Sequence, residues 1–133
     1  MRHIMVLNAK GGSGKTTLAT NLASYFASQQ NNVTLVDYDP QASSLAWLHE
    51  RSSARPPIAG IAGYQRNAGR VKRQTDIVIL DAPAAVNGAE LTALVRKAET
   101  ILIPVLPSPI DMRAASNFIK EIKSFVTILK KIM

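Results

Sequence analysis

Short apolar runs alternate along this chain with segments in which apolar residues return every three to four positions. The runs lie at residues 3–8, 33–36, 77–80 and 101–106 and read as strands. Pro104 inside the last run argues for an edge strand or a bulge. The periodic segments predict helices over residues 15–30, 41–51, 89–98 and 111 to about 123. In the first helix Leu18, Leu22, Tyr25 and Phe26 recur at helical spacing, with Ala19, Ala23 and Ala27 on the same side. The second carries Leu45, Trp47 and Leu48, and Trp47 reads as core. The third sets Leu91, Leu94, Val95 and Ala98 on one face. Residues 51–72, with Pro56-Pro57, three glycines and Arg51, Arg55, Arg66 and Arg70, are the least legible stretch; a short strand or helix fits there. Strands apolar on both faces, alternating with helices, predict a mostly parallel sheet covered on both sides, a three-layer α/β/α architecture. No internal repeat or low-complexity segment interrupts it.

Lys10-Gly11-Gly12-Ser13-Gly14-Lys15-Thr16-Thr17 lies between the first strand and the first helix, the context that a phosphate-binding loop requires. Glycines let successive backbone N–H groups curl around phosphate oxygens without Cβ clashes. The helix beginning near Lys15 turns its free N–H groups and positive dipole end toward the same anion. Lys15 supplies a point charge for β- and γ-phosphates, and the Thr16 hydroxyl suits Mg²⁺.

Two further strands end in carboxylates. Asp37 and Asp39, in Leu35-Val36-Asp37-Tyr38-Asp39-Pro40-Gln41, are two apart, so in extended chain they project to one side. They lie at a strand's C-terminal end, where open α/β sheets bind ligands. The plain alternative makes Asp39 a helix cap with Pro40 at the first helical position, and the two roles are compatible. Ile77-Val78-Ile79-Leu80-Asp81-Ala82-Pro83 ends in a carboxylate suited to holding Mg²⁺ through water.

Ala9 stands where the general P-loop pattern has glycine, and Lys10 follows it, giving K-G-G-x-G-K-T. This box, with D-x-D-P-Q, the strand ending at Asp81 and Ile101 to Pro109 followed by Asp111, resembles the deviant Walker A ATPases of the ParA/MinD group, particularly small plasmid-type ParA proteins. The resemblance covers His3 to about Ile122. It implies one P-loop NTPase domain over residues 1–133, shortened at the C-terminus because family members continue with further strands and helices. It also implies ATP and Mg²⁺ as ligands. Residues 10–17 would hold the nucleotide, and Lys10 would reach the phosphates of a partner's nucleotide in an ATP-dependent homodimer. Lys10, Lys15 and Asp39 would be catalytic, Asp39 orienting the attacking water. Thr16, Asp37 and Asp81 would serve the metal. As a ParA-type partition ATPase the chain would hydrolyse ATP slowly, bind DNA without sequence preference and answer to a centromere-bound ParB-type adaptor, in the cytoplasm on the nucleoid.

Composition narrows these expectations. Hydrophobic residues make up 47% of the 133 and charged residues 19%, a globular balance. With no cysteine, disulfides, cysteine-held metals and iron–sulfur reductases of nitrogenase type are excluded. The N-terminus does not read as a signal peptide, and no apolar stretch approaches the ~20 residues that span a bilayer. The net charge of +7 favours polyanionic partners where it clusters. Arg66, Arg70, Lys72 and Arg73 form one candidate DNA-contacting cluster and Lys120, Lys123, Lys130 and Lys131 another, although either reads equally as solvated surface. Phe118, Ile122, Phe125, Leu129 and Ile132 recur at helical spacing. They leave a MinD-like membrane-associated cell-division ATPase as an alternative, beside an ordinary core-facing helix; residues 124–129 also read as a strand. A nucleotide-binding remnant that no longer turns over is a third reading.

Overall fold

The computed structural model describes the backbone of residues 1–8, 14–84 and 86–132, and side chains through Ser124. Five strands occur in chain order: β1 (Arg2–Val6), β2 (Val33–Asp37), β3 (Ile58–Ala62), β4 (Ile77–Asp81) and β5 (Thr100–Leu102). Four helices connect or follow them: α1 (Lys15–Ser28), α2 (Ser43–His49), α3 (Gly88–Val95) and α4 (Pro109–Ile132). The strands form one sheet in the order β3-β2-β4-β1-β5, and every described pairing is parallel.

The alternation of side chains along each strand divides the core into two layers. Ile4, Val6, Val33, Leu35, Ile77 and Ile79 point to one face and meet Ala19, Ala23 and Ala27 of α1, with Trp47 and Leu48 of α2 at the margin. Met5, Leu7, Val36, Val78 and Leu80 point to the other and meet Leu91, Leu94 and Val95 of α3 and Phe118 and Ile122 of α4. The expected three layers are therefore present.

Several boundaries and faces differ from expectation for physical reasons. The alanines of α1 form its buried line and let the helix lie close to the sheet, with Leu18, Leu22 and Phe26 packed at its margins, while Tyr25 stands 57% exposed. The first helix stops at Ser28, where Gln30 takes a positive φ of 66°. The last strand ends at Leu102 instead of reaching residue 106, since Pro104 has no N–H for a ladder and β5 is an edge. The illegible stretch holds edge strand β3. Its Gly60 allows α2 to approach, because a Cβ there would lie 2.7 Å from Leu48 Cδ2. Arg51 is absorbed structurally: its guanidinium donates to Pro56 O at 2.9 Å and Ser24 Oγ at 3.2 Å and lies over the Trp47 ring.

The last helix is longer than its sequence pattern implied. The Ser108 hydroxyl and the Asp111 carboxylate bond each other, and Asp111 N donates to Ser108 Oγ at 3.2 Å, an N-terminal box with Pro109 first in the helix. The helix then continues to Ile132, so residues 124–129 are helical and not a strand.

Candidate functional site

All five strands are parallel, so their C-terminal ends share one rim, and β1, β4 and β2 bring their following residues together there. Val6 pairs with Asp81, and Asp37 pairs with Asp81, across adjacent strands. The ladder extends past the strand ends: Ala82 N donates to Val6 O at 3.2 Å and Tyr38 N to Asp81 O at 2.9 Å. Two carboxylates from distant sequence are thus held side by side by rigid backbone, Asp37 fully buried and Asp81 1% exposed.

The helix that follows β1 faces this pair. Gly14 adopts the left-handed region (φ 84°), which a side chain would strain, and delivers Lys15 as the first residue of α1. The first turn carries no acidic residue and no side-chain cap of its own, the condition under which a helix N-terminus takes an outside anion. Lys15 is 5% exposed, and its ammonium is bonded to Asp81 Oδ1. Thr16 Oγ1 lies 3.5 Å from Asp81 Oδ2. Thr17 is exposed at the rim. Of the expected loop residues, Lys10, Gly11, Gly12 and Ser13 lie outside the described residues.

Burial pushes the Asp81 carboxyl pKa up; bonding to Lys15 and its charge oppose this, Asp37 adds to it, and the Ser44 hydroxyl opposes it. The rise persists despite Lys15, so burial of this carboxyl outweighs the help of the ammonium. An oxygen-only set of Asp81, Asp37 and Thr16, with a cationic group already at Asp81, fits a small hard cation that brings its own waters and shares phosphate oxygens. Among the described residues no cluster of three or more carboxylate, imidazole or thiol groups forms a metal cage by itself.

The D-x-D motif divides its work differently from the expectation. Asp37, not Asp39, reaches the helix: its Oδ2 accepts from Leu45 N in α2 at 3.3 Å, and its Oδ1 accepts from Asp39 N at 2.9 Å. Asp39 is half-buried, and its Oδ1 accepts from Gln41 N at 3.0 Å, closing a side-chain turn before α2. The sequence reading missed two buried polar residues at the rim. Asn8 (3% exposed) and Ser44 (0%) leave Asn8 Oδ1 and Ser44 Oγ without hydrogen-bond partners among the described residues. Asn8, directly after the first apolar run, carried a readable signal as a polar residue closing a buried strand; Ser44 carried none.

A cavity of about 440 Å³ lies elsewhere, lined by Val36, Val78 and Leu80 of the sheet and by Gly69 and Val71. No described residue of the loop motif and none of the three carboxylates lines it; its polar lining comes from His3, Tyr38 and Lys97.

A parallel sheet with a glycine-delivered lysine at a helix N-terminus, facing strand-end carboxylates, defines a P-loop nucleotide-binding domain. The chain belongs to the CobQ/CobB/MinD/ParA nucleotide-binding domain family, whose model matches residues 4–133. It is 34% identical over 126 residues to maintenance of carboxysome distribution protein A of Halothiobacillus neapolitanus, covering 91% of this chain and 58% of that protein. It is 31% identical over 137 residues to the chromosome-partitioning ATPase Soj of Thermus thermophilus, covering 79% of this chain and 55% of that protein. The fold matches cobyrinic acid a,c-diamide synthase from Mycobacterium smegmatis, solved with bound ADP and magnesium, at a TM-score of 0.74 and 22% identity, covering 96% of this chain and 69% of that one. The chain spans little more than half the length of the curated relatives it matches.

Proposed function

We propose that this chain is the nucleotide-binding domain of a ParA-type positioning ATPase that binds ATP–Mg²⁺ at residues 10–17. The observation that carries the reading is the meeting of Lys15, Thr16 and Asp81 at the open N-terminus of α1. On this reading the backbone of Gly11, Gly12, Ser13, Gly14, Lys15, Thr16 and Thr17 cradles the phosphates. Lys15 leaves Asp81 for the β- and γ-phosphate oxygens. Thr16 and Asp81 hold the metal, with Asp37 behind them fixing the Asp81 strand end and α2. The metal, when bound, offsets the charge that develops on the phosphates. Asp39 at the rim orients the attacking water, and Lys10 serves a partner copy's nucleotide. A homodimer closing over this rim covers exposed apolar residues that follow β5, among them Val105, Leu106, Ile110 and Met112.

The exchange at Lys15 yields a counter-intuitive expectation. In the metal-free state a nucleotide competes with Asp81 for the ammonium. Asp81→Asn keeps a carbonyl acceptor but removes the charge that holds Lys15 and repels phosphate. Charge-assisted hydrogen bonds are worth about 1.5–3 kcal/mol, so nucleotide affinity in EDTA is expected to rise roughly tenfold while the gain on adding Mg²⁺ disappears. Calorimetric titration of ADP with and without Mg²⁺ checks both halves. Weaker binding in EDTA, or an undiminished Mg²⁺ effect, removes the exchange.

The partition role predicts ATP-dependent, sequence-independent DNA binding. Arg66, Arg70, Lys72 and Arg73 are all exposed in the segment between β3 and β4, and Lys120 and Lys123 are exposed on α4; the side chains of Lys130 and Lys131 lie outside the described residues. Anisotropy titrations with two unrelated duplexes should give equal affinities and a log–log salt slope of roughly −0.9 per phosphate contact. Charge reversal at Arg70, Lys72 and Arg73 should flatten that slope, whereas reversal at Arg2 should not. A strong preference for one duplex, or a salt-insensitive affinity, would count against a phosphate-binding surface. Absence of DNA binding alongside intact ATP turnover would count against the DNA-partition role. ATP binding without turnover would favour the nucleotide-binding remnant. Burial of Phe118 and Ile122 against the sheet layer speaks for a core-facing α4 over a membrane-lying one.

A further inference from the structure

We propose that the open edge of β3 is a docking site for an extended acidic segment of a partner protein, which adds beside it as a sixth strand. The inference does not depend on the nucleotide reading of the rim.

Strand β3 ends the sheet and bonds on one side only: its residues Ile58–Ala62 pair with Val33–Asp37 of β2. In a parallel pair alternate residues turn their N–H and C=O away from the neighbour, so an edge strand offers a row of unpaired donors and acceptors. Proteins commonly guard such an edge with a charged side chain, a proline, a bulge or a covering element. Ile58-Ala59-Gly60-Ile61-Ala62 has no charge and no proline, and it keeps unbroken register with β2. Nor is it covered, since Ala59 and Gly60 are exposed. The exposure of Gly60 is that of its backbone. Its side-chain direction is filled, because a Cβ there would lie 2.7 Å from Leu48 Cδ2 and 3.0 Å from Leu45 Cδ2. On the opposite face a recess of about 160 Å³ lies beside Ala59, between Thr34, Pro57, Lys72 and Thr75, with room for a small side chain of an incoming strand.

Charge selects the occupant. Residues 51–75 contain six arginines and lysines and no aspartate or glutamate, and β3 lies among them. Arg55 is set just before the strand by a turn in which Arg55 N donates to Ser52 O at 3.1 Å. Arg66 comes just after it, next to a turn in which Gln65 N donates to Ala62 O at 3.1 Å. Both are exposed, and neither pairs with a described carboxylate. A second copy of this chain is therefore a poor occupant. Antiparallel pairing about a twofold axis would bring Arg55 of each copy toward Arg66 of the other, and like charges placed opposite one another are destabilising. A strand with carboxylates at both ends meets attraction at both, and backbone hydrogen bonds along the edge hold it between them.

The test titrates a fluorescent peptide of alternating valine and threonine, flanked at each end by two glutamates, into the whole chain and reads anisotropy. The peptide should bind, and hydrogen exchange at the β3 amides should slow while exchange in α3 stays unchanged. The same peptide with lysines for glutamates should bind at least about tenfold more weakly, and so should the acidic peptide to Arg55→Glu/Arg66→Glu. The decisive comparison leaves the protein untouched. A peptide N-methylated along its valine–threonine run keeps every charge but donates no backbone bond, and it should lose measurable binding. Equal binding of the N-methylated peptide, or unchanged exchange at β3, shows a basic surface that holds any polyanion, duplex DNA included, and overturns strand addition. Protection of the β3 amides that rises with protein concentration in the absence of peptide, together with a dimer in sedimentation, gives the edge to a second copy and also overturns it. So does a folded wild-type chain that does not bind the acidic peptide.

Discussion

Lys15→Ala is expected to remove measurable ATP–Mg²⁺ binding, a loss on the order of 100-fold or more, because on the proposed reading this side chain, the first of α1, supplies the cation for two phosphates. Burial complicates the experiment in an informative way. Lys15 and Asp81 are 5% and 1% exposed, and removing one partner of a buried pair typically costs about 3–5 kcal/mol because the other charge is left uncompensated. With Asp37 adjacent, the remaining Asp81 has every reason to take up a proton or destabilise the rim. Lys15→Ala should therefore also melt at a lower temperature. The double variant Lys15→Ala/Asp81→Asn removes both charges and should recover most of the melting temperature without recovering nucleotide binding. That separation distinguishes a ligand-binding lysine from a structural one. Equal nucleotide affinity in wild type and Lys15→Ala, by calorimetry on folded protein, would falsify the phosphate role.

The parts of the fold that were legible share one property: their sequence pattern has a single physical solution. The runs ending in Val6, Val36 and Leu80 are apolar on both faces, and only a parallel sheet between two helical layers buries both. Strand β3 was illegible because Ile58-Ala59-Gly60-Ile61-Ala62 carries one glycine and two alanines, and its pairing comes from β2 and not from its own propensity. The face of α1 was legible in Ala19, Ala23 and Ala27 with Leu18, Leu22 and Phe26 beside them; Tyr25 alone of that group turns out to solvent. The long α4 was under-read because the β-branched residues from 126 to 128 speak locally for a strand, while the capped helix starting at Pro109 continues through them.

The site was legible to the extent that its chemistry is local. The spacing of Gly14, Lys15 and Thr16 is contained in one loop, and Asp81 closes one strand. The bond between Lys15 and Asp81 was not, since 66 residues separate the two and only the β1–β4 pairing makes them neighbours. Nor was the use of Asp37 as the anchor of α2, which depends on where Leu45 N arrives. Ser44 was invisible for the same reason: a serine in a helix's first turn is ordinary until its burial is known.

Asp39→Ala is expected to leave ATP binding within about twofold and to lower hydrolysis by roughly 100-fold or more, the usual scale for losing a group that orients or deprotonates a nucleophile. The geometry admits a rival account, since Asp39 Oδ1 already accepts from Gln41 N at 3.0 Å and closes the turn before α2. Alanine removes both functions, so it cannot choose between them. Asparagine can. Asp39→Asn retains a side-chain carbonyl able to accept from Gln41 N, but it has no negative charge and no basic oxygen with which to orient a water for attack. If Asp39 acts on water, Asp39→Asn should be as slow as Asp39→Ala, with a melting temperature near wild type and unchanged ATP affinity. If Asp39 is only the turn's cap, Asp39→Asn should hydrolyse ATP at the wild-type rate, while Asp39→Ala loses melting temperature and rate together. The partial exposure of Asp39, against the full burial of Asp37, favours the first outcome: water reaches Asp39 and does not reach Asp37. Phosphate release per molecule of bound ATP, measured for the three proteins at saturating Mg²⁺, decides between them.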